Sequence, residues 1–214
     1  MNNRVLISIG VLIVVAAGYL VVSNQKLTPN ETSQSVQQET ESASQSTESA
    51  SLQPSDTCSG KQTIAMTQGP YYKSGSPMRS NLLEEGIPGE KLTVVGYVFT
   101  TDCEPIANAW LDFWQADGNG VYDNAGFKLR GHQFTDESGK YILETVVSGR
   151  YHGRTPHIHV KIRATDKSPI ITSQMYFSGE SQNQNDAIFD ASAVMHVQDG
   201  QTGKVASYNF VVKN

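Results

Sequence analysis

Apolar and polar positions divide the chain into three stretches of different rhythm. Val5 to Val22 (VLISIGVLIVVAAGYLVV) is an uninterrupted apolar run with no charge. From Asn24 to Thr57 there is no apolar rhythm, and Ser, Thr, Gln and Glu fill 23 of 34 positions without a single aromatic. From about residue 58 onward, β-branched and aromatic runs alternate with turn residues. KLTVVGYVFT (Lys91–Thr100), AWLDFWQ (Ala109–Gln115), KYILETVV (Lys140–Val147), HIHVKIR (His157–Arg163), IITSQMYF (Ile170–Phe177) and VASYNFVV (Val205–Val212) each predict a strand. Turn signals separate them: Thr101-Asp102, Asp117-Gly118-Asn119-Gly120, Asp136-Glu137-Ser138-Gly139 and Asp199-Gly200. No long stretch of this part repeats every 3.6 residues. Such short strands predict an all-β fold, an antiparallel β-sandwich over residues 58–214. The polar segments Ser74–Gly89 and Ser178–Ala191 are long enough to carry function.

The apolar run is 18 residues, roughly 27 Å as a helix, close to the hydrocarbon thickness of a bilayer. Arg4 precedes it, which favours a cytoplasmic amino end. No small-residue cleavage site closes the run, so residues 1–23 predict an uncleaved signal anchor rather than a cleaved peptide. Either reading exports the rest: anchored to the membrane if the helix stays, secreted if it is removed. Residues 24–57 cannot bury enough apolar area to offset chain entropy, and predict a disordered tether. Asn30-Glu31-Thr32 on it matches a glycosylation sequon.

Of 214 residues, 38% are hydrophobic and 17% charged, which reflects the non-globular stretches. A net charge of −5 leaves no basic excess to neutralise phosphates and argues against a nucleic-acid binder. Two cysteines, Cys58 and Cys103, exclude a disulfide-dense scaffold. Both lie in the part that export would expose to oxidation. Whether they pair depends on a distance that sequence does not give.

The candidate chemistry starts at His157-Ile158-His159. On a strand, residues i and i+2 share a face, with Cβ atoms roughly 7 Å apart, so two imidazoles can converge on one metal ion while Ile158 turns into the core. No Asp or Glu on this strand completes a two-His, one-carboxylate site. In the adjoining loop, RYHGRTPHIHV offers two further donors. His152 would make a three-His zinc site. Tyr151 would bring a hard phenolate, which suits Fe(III). Tyr122, after the Asp117–Gly120 turn, is a second phenol of the same kind.

Several segments, in order, resemble the intradiol ring-cleavage dioxygenases, the family of protocatechuate 3,4-dioxygenase and catechol 1,2-dioxygenase. They are TQGPYY (Thr67–Tyr72), LDFWQADGNGVYDN (Leu111–Asn124), LRGHQFTDESGKYILETV (Leu129–Val146), GRYHGRTPHIHV (Gly149–Val160) and ITSQMYF (Ile171–Phe177). The resemblance covers about residues 60–214. It implies a non-haem Fe(III) held by Tyr122 and His157 as an equatorial pair and by Tyr151 and His159 as an axial pair. It implies a substrate-facing Arg154, a pocket Gln174, and a wall containing Gly69, Pro70 and Tyr71. It also implies a reaction in which a catechol chelates the iron, displaces Tyr151, and is split by O2 between its two oxygenated carbons to a muconate-type dicarboxylate.

Two departures from the family qualify the implication. Only five residues separate Tyr151 from His157, which predicts a short lid and an open pocket. The helical dimerisation region of catechol 1,2-dioxygenases has no counterpart, so oligomeric state is left open. The bland expectations are that His132, His152 and His196 are exposed polar residues, that Trp110 and Trp114 are core or wall, and that Tyr141 packs within a strand. A reading of another class is a cell-surface β-sandwich that binds a partner and keeps the motif without catalysis. The presence of every ligand type favours the enzyme.

Overall fold

The computed structural model of the protein describes residues 57–213. The expected anchor, the rest of the tether and the sequon lie outside the described residues. Among the described residues no helix is long and apolar enough to cross a membrane.

The β-rich runs form strands close to the expected bounds: β1 Lys91–Thr100, β2 Trp110–Gln115, β4 Lys140–Val146, β5 His157–Arg163 and β6 Ile171–Phe177. Two strands were not foreseen, β3 Arg130–Phe134 and β7 Val194–Asp199. The run Val205–Val212 is not one strand. It divides into β8 Lys204–Ser207 and β9 Phe210–Val212. The break has a local cause: the Asn209 side-chain carbonyl accepts the Tyr97 N–H at 2.9 Å, in place of a ladder carbonyl. Gly96 makes room for the displaced backbone, since a Cβ there would lie 1.8 Å from the Tyr208 carbonyl oxygen. Among the described residues the helical content is two single 3-10 turns, Asn183–Asn185 and Ala191–Ala193.

Hydrogen bonds connect the strands in the order β3-β2-β5-β6-β7-β8-β1-β4, with β9 beside β1. The all-β expectation holds, but the sheet is mixed rather than antiparallel: β1 pairs β8 and β9 in parallel, and β6 pairs β7 in parallel. The chain returns late to lay β8 and β9 beside its first strand, and the 178–193 loop supplies the long crossover that a parallel β6–β7 pair needs. That pair is brief, with Tyr176 opposite Val194 and Phe177 opposite Met195.

The path folds over so that β3-β2-β5-β6 packs against β8-β1-β4, the arrangement of a sandwich. One core joins the halves. Leu111, Phe113, Ile158, Val160 and Ile162 come from one side, and Leu92, Val94, Leu143 and Ala206 from the other. The Phe113 and Tyr141 rings meet across it at 5.8 Å. Tyr141 packs as expected and donates its hydroxyl to the Tyr208 carbonyl at 2.9 Å.

Cys58 and Cys103 do pair, with Cα atoms 5.5 Å apart. The bond closes a sequence separation of 45, worth about 4 kcal/mol in the chain-entropy account. It ties down an arm that runs along the sandwich through Thr63 N–H to Val211 O (2.9 Å) and Met66 N–H to Thr172 O (2.8 Å). The arm then delivers Thr67 and Gly69 to the site described next.

Candidate metal centre

Strand register builds the base of the site. On β5, Ile158 and Val160 face the core, while His157 and His159 face outward. Tyr176 lies directly across from His157, and Gln174 across from His159. On the other side Trp114 stands opposite His159, and Arg130 opposite Trp114. Two cross-strand rows therefore put His157, His159, Gln174, Tyr176 and Trp114 on one outer face. Other segments cover that face, so both histidines are buried although they are not in the core.

The phenols arrive from two loops held together by backbone contact. Tyr122 follows the Asp117–Gly120 turn, where Asp117 Oδ1 accepts from the Asn119 and Val121 N–H groups, both at 2.9 Å. Gly149 N–H donates to the Asp117 carbonyl at 2.8 Å. The approach requires glycine on both sides: a Cβ at Gly120 would meet Arg150 O at 1.9 Å, and one at Gly149 would meet Gly118 O at 2.4 Å. Tyr151 opens a tight turn with φ of +42° at His152 and +76° at Gly153, closed by Arg154 N–H to Tyr151 O at 2.7 Å. Positive φ at both central positions is the type I′ pattern. It sets Tyr151 and Arg154 side by side and leaves His152 exposed at the tip.

The expected ligands converge. His157 Nε2 and His159 Nε2 are 3.1 Å apart. The Tyr122 ring centroid is 5.4 Å from that of Tyr151 and 6.5 Å from that of His159. Tyr71 is stacked on Tyr122 at 4.4 Å and meets Tyr151 edge-on at 5.1 Å. Gly69 lies over His159, with its absent Cβ position 3.5 Å from Cε1. Trp114 is stacked on His159 at 4.8 Å, which makes it a wall of the site. Pro70 is exposed between Gly69 and Tyr71.

Arg154 sits at the centre of a polar network. Its Nε donates to Asp186 Oδ2 at 2.7 Å, and its Nη2 to Gln174 Oε1 at 2.7 Å and Tyr176 Oη at 3.2 Å. Gln174 Nε2 donates to the Thr67 carbonyl at 3.0 Å, and Tyr176 Oη donates to Gln174 Oε1 at 2.8 Å. Asp186 is buried, and its Oδ2 also accepts the Thr155 N–H at 3.1 Å. Burial pushes its carboxyl up, but Arg154 and the Ile188 and Thr155 N–H groups together hold it below the usual carboxylate range.

Burial pushes the His157 imidazole down to about 4, against an opposing hydrogen bond to the Thr155 carbonyl. Burial, and then the neighbouring His157, hold His159 well below the ordinary imidazole value. Both rings are therefore neutral near pH 7, the form that ligates metals. Burial, reinforced by the Tyr151 phenol, raises Tyr122, with Arg154 and Arg130 pulling the other way. A hydrogen bond to Tyr71, then burial, raises Tyr151.

These features fit a hard cation. His157 Nδ1 is 2.6 Å from the Thr155 carbonyl, which assigns the proton to Nδ1 and the lone pair to Nε2. His159 Nδ1 is buried without a protein partner, so nothing in the protein opposes a proton there and a lone pair at Nε2. Two imidazole nitrogens with two phenolic oxygens make a donor set suited to Fe(III). Among the described residues no three His, Cys, Asp or Glu side chains gather at a common point. The three-His alternative thus finds no support, with His152 at an exposed turn tip.

The structure also revises and extends the expectations. His132 is half-buried, with Nδ1 2.8 Å from the Ser76 carbonyl and 3.2 Å from Ser76 Oγ, rather than a bland exposed residue. His196 is exposed as expected, and Trp110 is half-buried at the sheet surface. Sequence reading missed Tyr176, although it lies two residues from Gln174 on the same face and the alternation rule would have found it. It also missed Asp186, which reaches Arg154 from the 178–193 loop and carries no periodic signal.

The family model described as Dioxygenase matches residues 67–213. One similar solved structure is the dioxygenase domain of a dioxygenase carbohydrate-binding protein fusion from the cellulolytic bacterium Streptomyces sp. SirexAA-E. It is 46% identical with a TM-score of 0.69, over 72% of this chain and 99% of that one. Chlorocatechol 1,2-dioxygenase of Rhodococcus opacus is 25% identical over 72% of this chain and 74% of its own length. Catechol 1,2-dioxygenase 2 of Acinetobacter lwoffii is 30% identical over 57% of this chain, and the match spans 54% of that relative.

Proposed function

This chain belongs to the intradiol ring-cleavage dioxygenases, and from that premise we propose that it is an exported Fe(III)-dependent enzyme that opens a catechol ring between its two hydroxyl-bearing carbons, using O2, to give a muconate-type dicarboxylate. One observation carries the reading: the buried strand pair His157 and His159 meets the buried phenol of Tyr122, and the half-buried loop phenol of Tyr151 lies against Tyr122. The histidines would hold the ion through Nε2, and the tyrosines through their phenolic oxygens. Bound there, ferric iron supplies Lewis acidity and a template on which diol and O2 meet.

The chain's own groups account for the remaining needs. Tyr151 stands on the exposed turn, so its phenolic oxygen is the one free to take a substrate proton. Tyr71, edge-on to it at 5.1 Å, favours its protonated form. Arg154 is anchored by Asp186 and presents positive charge where oxyanion character develops on the substrate. Gly69 leaves the space over His159 open, whereas any larger residue would fill it. Gly153, at the exposed tip of this turn, has nothing within 4 Å of its Cβ position, so the turn carries no bulk there.

Export is supported by the Cys58–Cys103 bond, since disulfides persist outside the cytoplasm. The Val5–Val22 run would then anchor the domain at the membrane. The test is a panel of catechol, protocatechuate, hydroxyquinol and larger plant-derived catechols, offered to the iron-loaded protein with labelled O2. The expected product is a ring-opened dicarboxylate carrying both labelled oxygens. An iron-loaded protein that consumes no O2 with any of them would favour a binding module instead.

A further inference from the structure

Asp112 is a carboxylate with 2% of its surface exposed, on the same outer face of β2 as Trp114. The proposed reaction does not use it. Burying such a group is costly unless it is hydrogen-bonded, and a single loop engages both of its oxygens. Ser76 Oγ donates to Oδ1 at 2.7 Å, and Tyr72 Oη donates to Oδ2 at 3.1 Å. The residues flanking Asp112 in its cross-strand row grip the same loop. Lys161, opposite on β5, places Nζ 3.5 Å from the Tyr72 ring centroid. His132, opposite on β3, contacts the Ser76 carbonyl and hydroxyl.

The row His132–Asp112–Lys161 is therefore a socket for loop 72–76, one step along the strands from the row Arg130–Trp114–His159. What the loop carries gives the socket its consequence. Tyr71 and Tyr72 are consecutive and serve opposite sides of the centre. Tyr72 meets Trp114 edge-on at 4.8 Å, and Trp114 lies flat on His159. Tyr71 lies flat on Tyr122 and edge-on to Tyr151. One buried carboxylate thus fixes the aromatic wall on both the imidazole and the phenol side.

We infer that Asp112 is a positioning residue that, through Tyr72 and Ser76, fixes loop 70–76 and with it the two aromatic walls of the substrate site. The inference rests on the dioxygenase reading and deepens it. Without the carboxylate, the buried Ser76 hydroxyl and the part-buried Tyr72 hydroxyl lose their acceptor and the loop loses its tether. The walls then sample other positions, which weakens substrate binding more than the chemical step.

The test compares the iron-loaded full chain with Asp112→Ala, Asp112→Asn and Tyr72→Phe by amide hydrogen exchange and steady-state kinetics. In Asp112→Ala, exchange across residues 70–76 is expected to rise about tenfold while strand amides stay protected, as expected of a local opening. KM should rise about tenfold with kcat changed less than about threefold. Asp112→Asn keeps an acceptor for Tyr72 and offers an amide donor to Ser76 Oγ, so it should recover most of both losses. Tyr72→Phe, which removes only a hydroxyl, should show the same pattern at smaller size, and it carries the test if Asp112→Ala does not fold. Unchanged exchange at 70–76, a uniform rise over all strands, or a freed loop with unchanged KM would overturn the inference. A wild-type protein that cleaves no catechol sinks the dioxygenase reading alone, because exchange still decides whether the socket holds the loop.

Discussion

Strand β5 shows two kinds of order in seven residues. Its inward side chains, Ile158, Val160 and Ile162, are fully buried among other apolar groups. Its outward side chains each have a particular partner. His157 has the Thr155 carbonyl, His159 has Trp114, Lys161 has Tyr72, and Arg163 has Asp166. The inward face needs only volume and hydrophobicity, so several residues would serve at each position. On the outward face the partner, the nitrogen and the protonation state all matter. Stability and function are thus separated by one step of the pleat, and substitutions on the two faces should fail in different ways.

Phe113→Ala, on the inward face of β2 against Tyr141, should cost about 3–5 kcal/mol of stability through lost burial and the cavity left behind. Denaturant unfolding measures it, and the protein that remains folded should still bind iron. An iron-binding loss without a stability loss would erase the distinction between the faces.

The outward histidines predict a pH effect on the metal-free protein. With the folded His157 at about 4 and the unfolded one near the ordinary value of about 6.5, the unfolded chain binds more protons between these limits. Stability should therefore fall as pH falls through that window, by roughly 3 kcal/mol from His157, with His159 acting in the same direction. Urea midpoints at stepped pH check this. A flat profile from about pH 6.5 to 4 would show that the imidazoles are not buried as described.

Arg154→Ala should lower kcat/KM by about a hundredfold, the scale of losing a charge aimed at a developing oxyanion. It should shift stability less than Phe113→Ala. The smallest effect belongs to His196→Ala on an exposed position, within about 0.5 kcal/mol and without change in activity.

The same division explains what could be read from the chain. Inward alternation and β-branched content mark β1, β4, β5 and β6 nearly to the residue. RGHQF of β3 carries almost no such signal, because Arg130 is buried and His132 half-buried by loop contacts rather than by the core. Pairing direction was misjudged because β8 and β9 join β1 from far along the chain, and alternation does not encode a neighbour. The His-x-His pair was legible as two side chains on one strand face, and the phenols joined it through the resemblance of their surrounding segments to the family. Asp186, Tyr72 and Asp112 were not, since their roles depend on which loop folds over which strand. His132 was dismissed for the same reason: its partner Ser76 lies 56 positions away.

The central claim is a ferric centre shared by Tyr122, Tyr151, His157 and His159. The most direct test is the iron content and visible spectrum of the purified protein beside those of His159→Ala. The account predicts about one iron per chain with a red-brown tyrosinate-to-iron charge-transfer band, both lost in His159→Ala while the fold persists. A colourless iron-loaded protein, or a variant that keeps both the iron and the band, would contradict it.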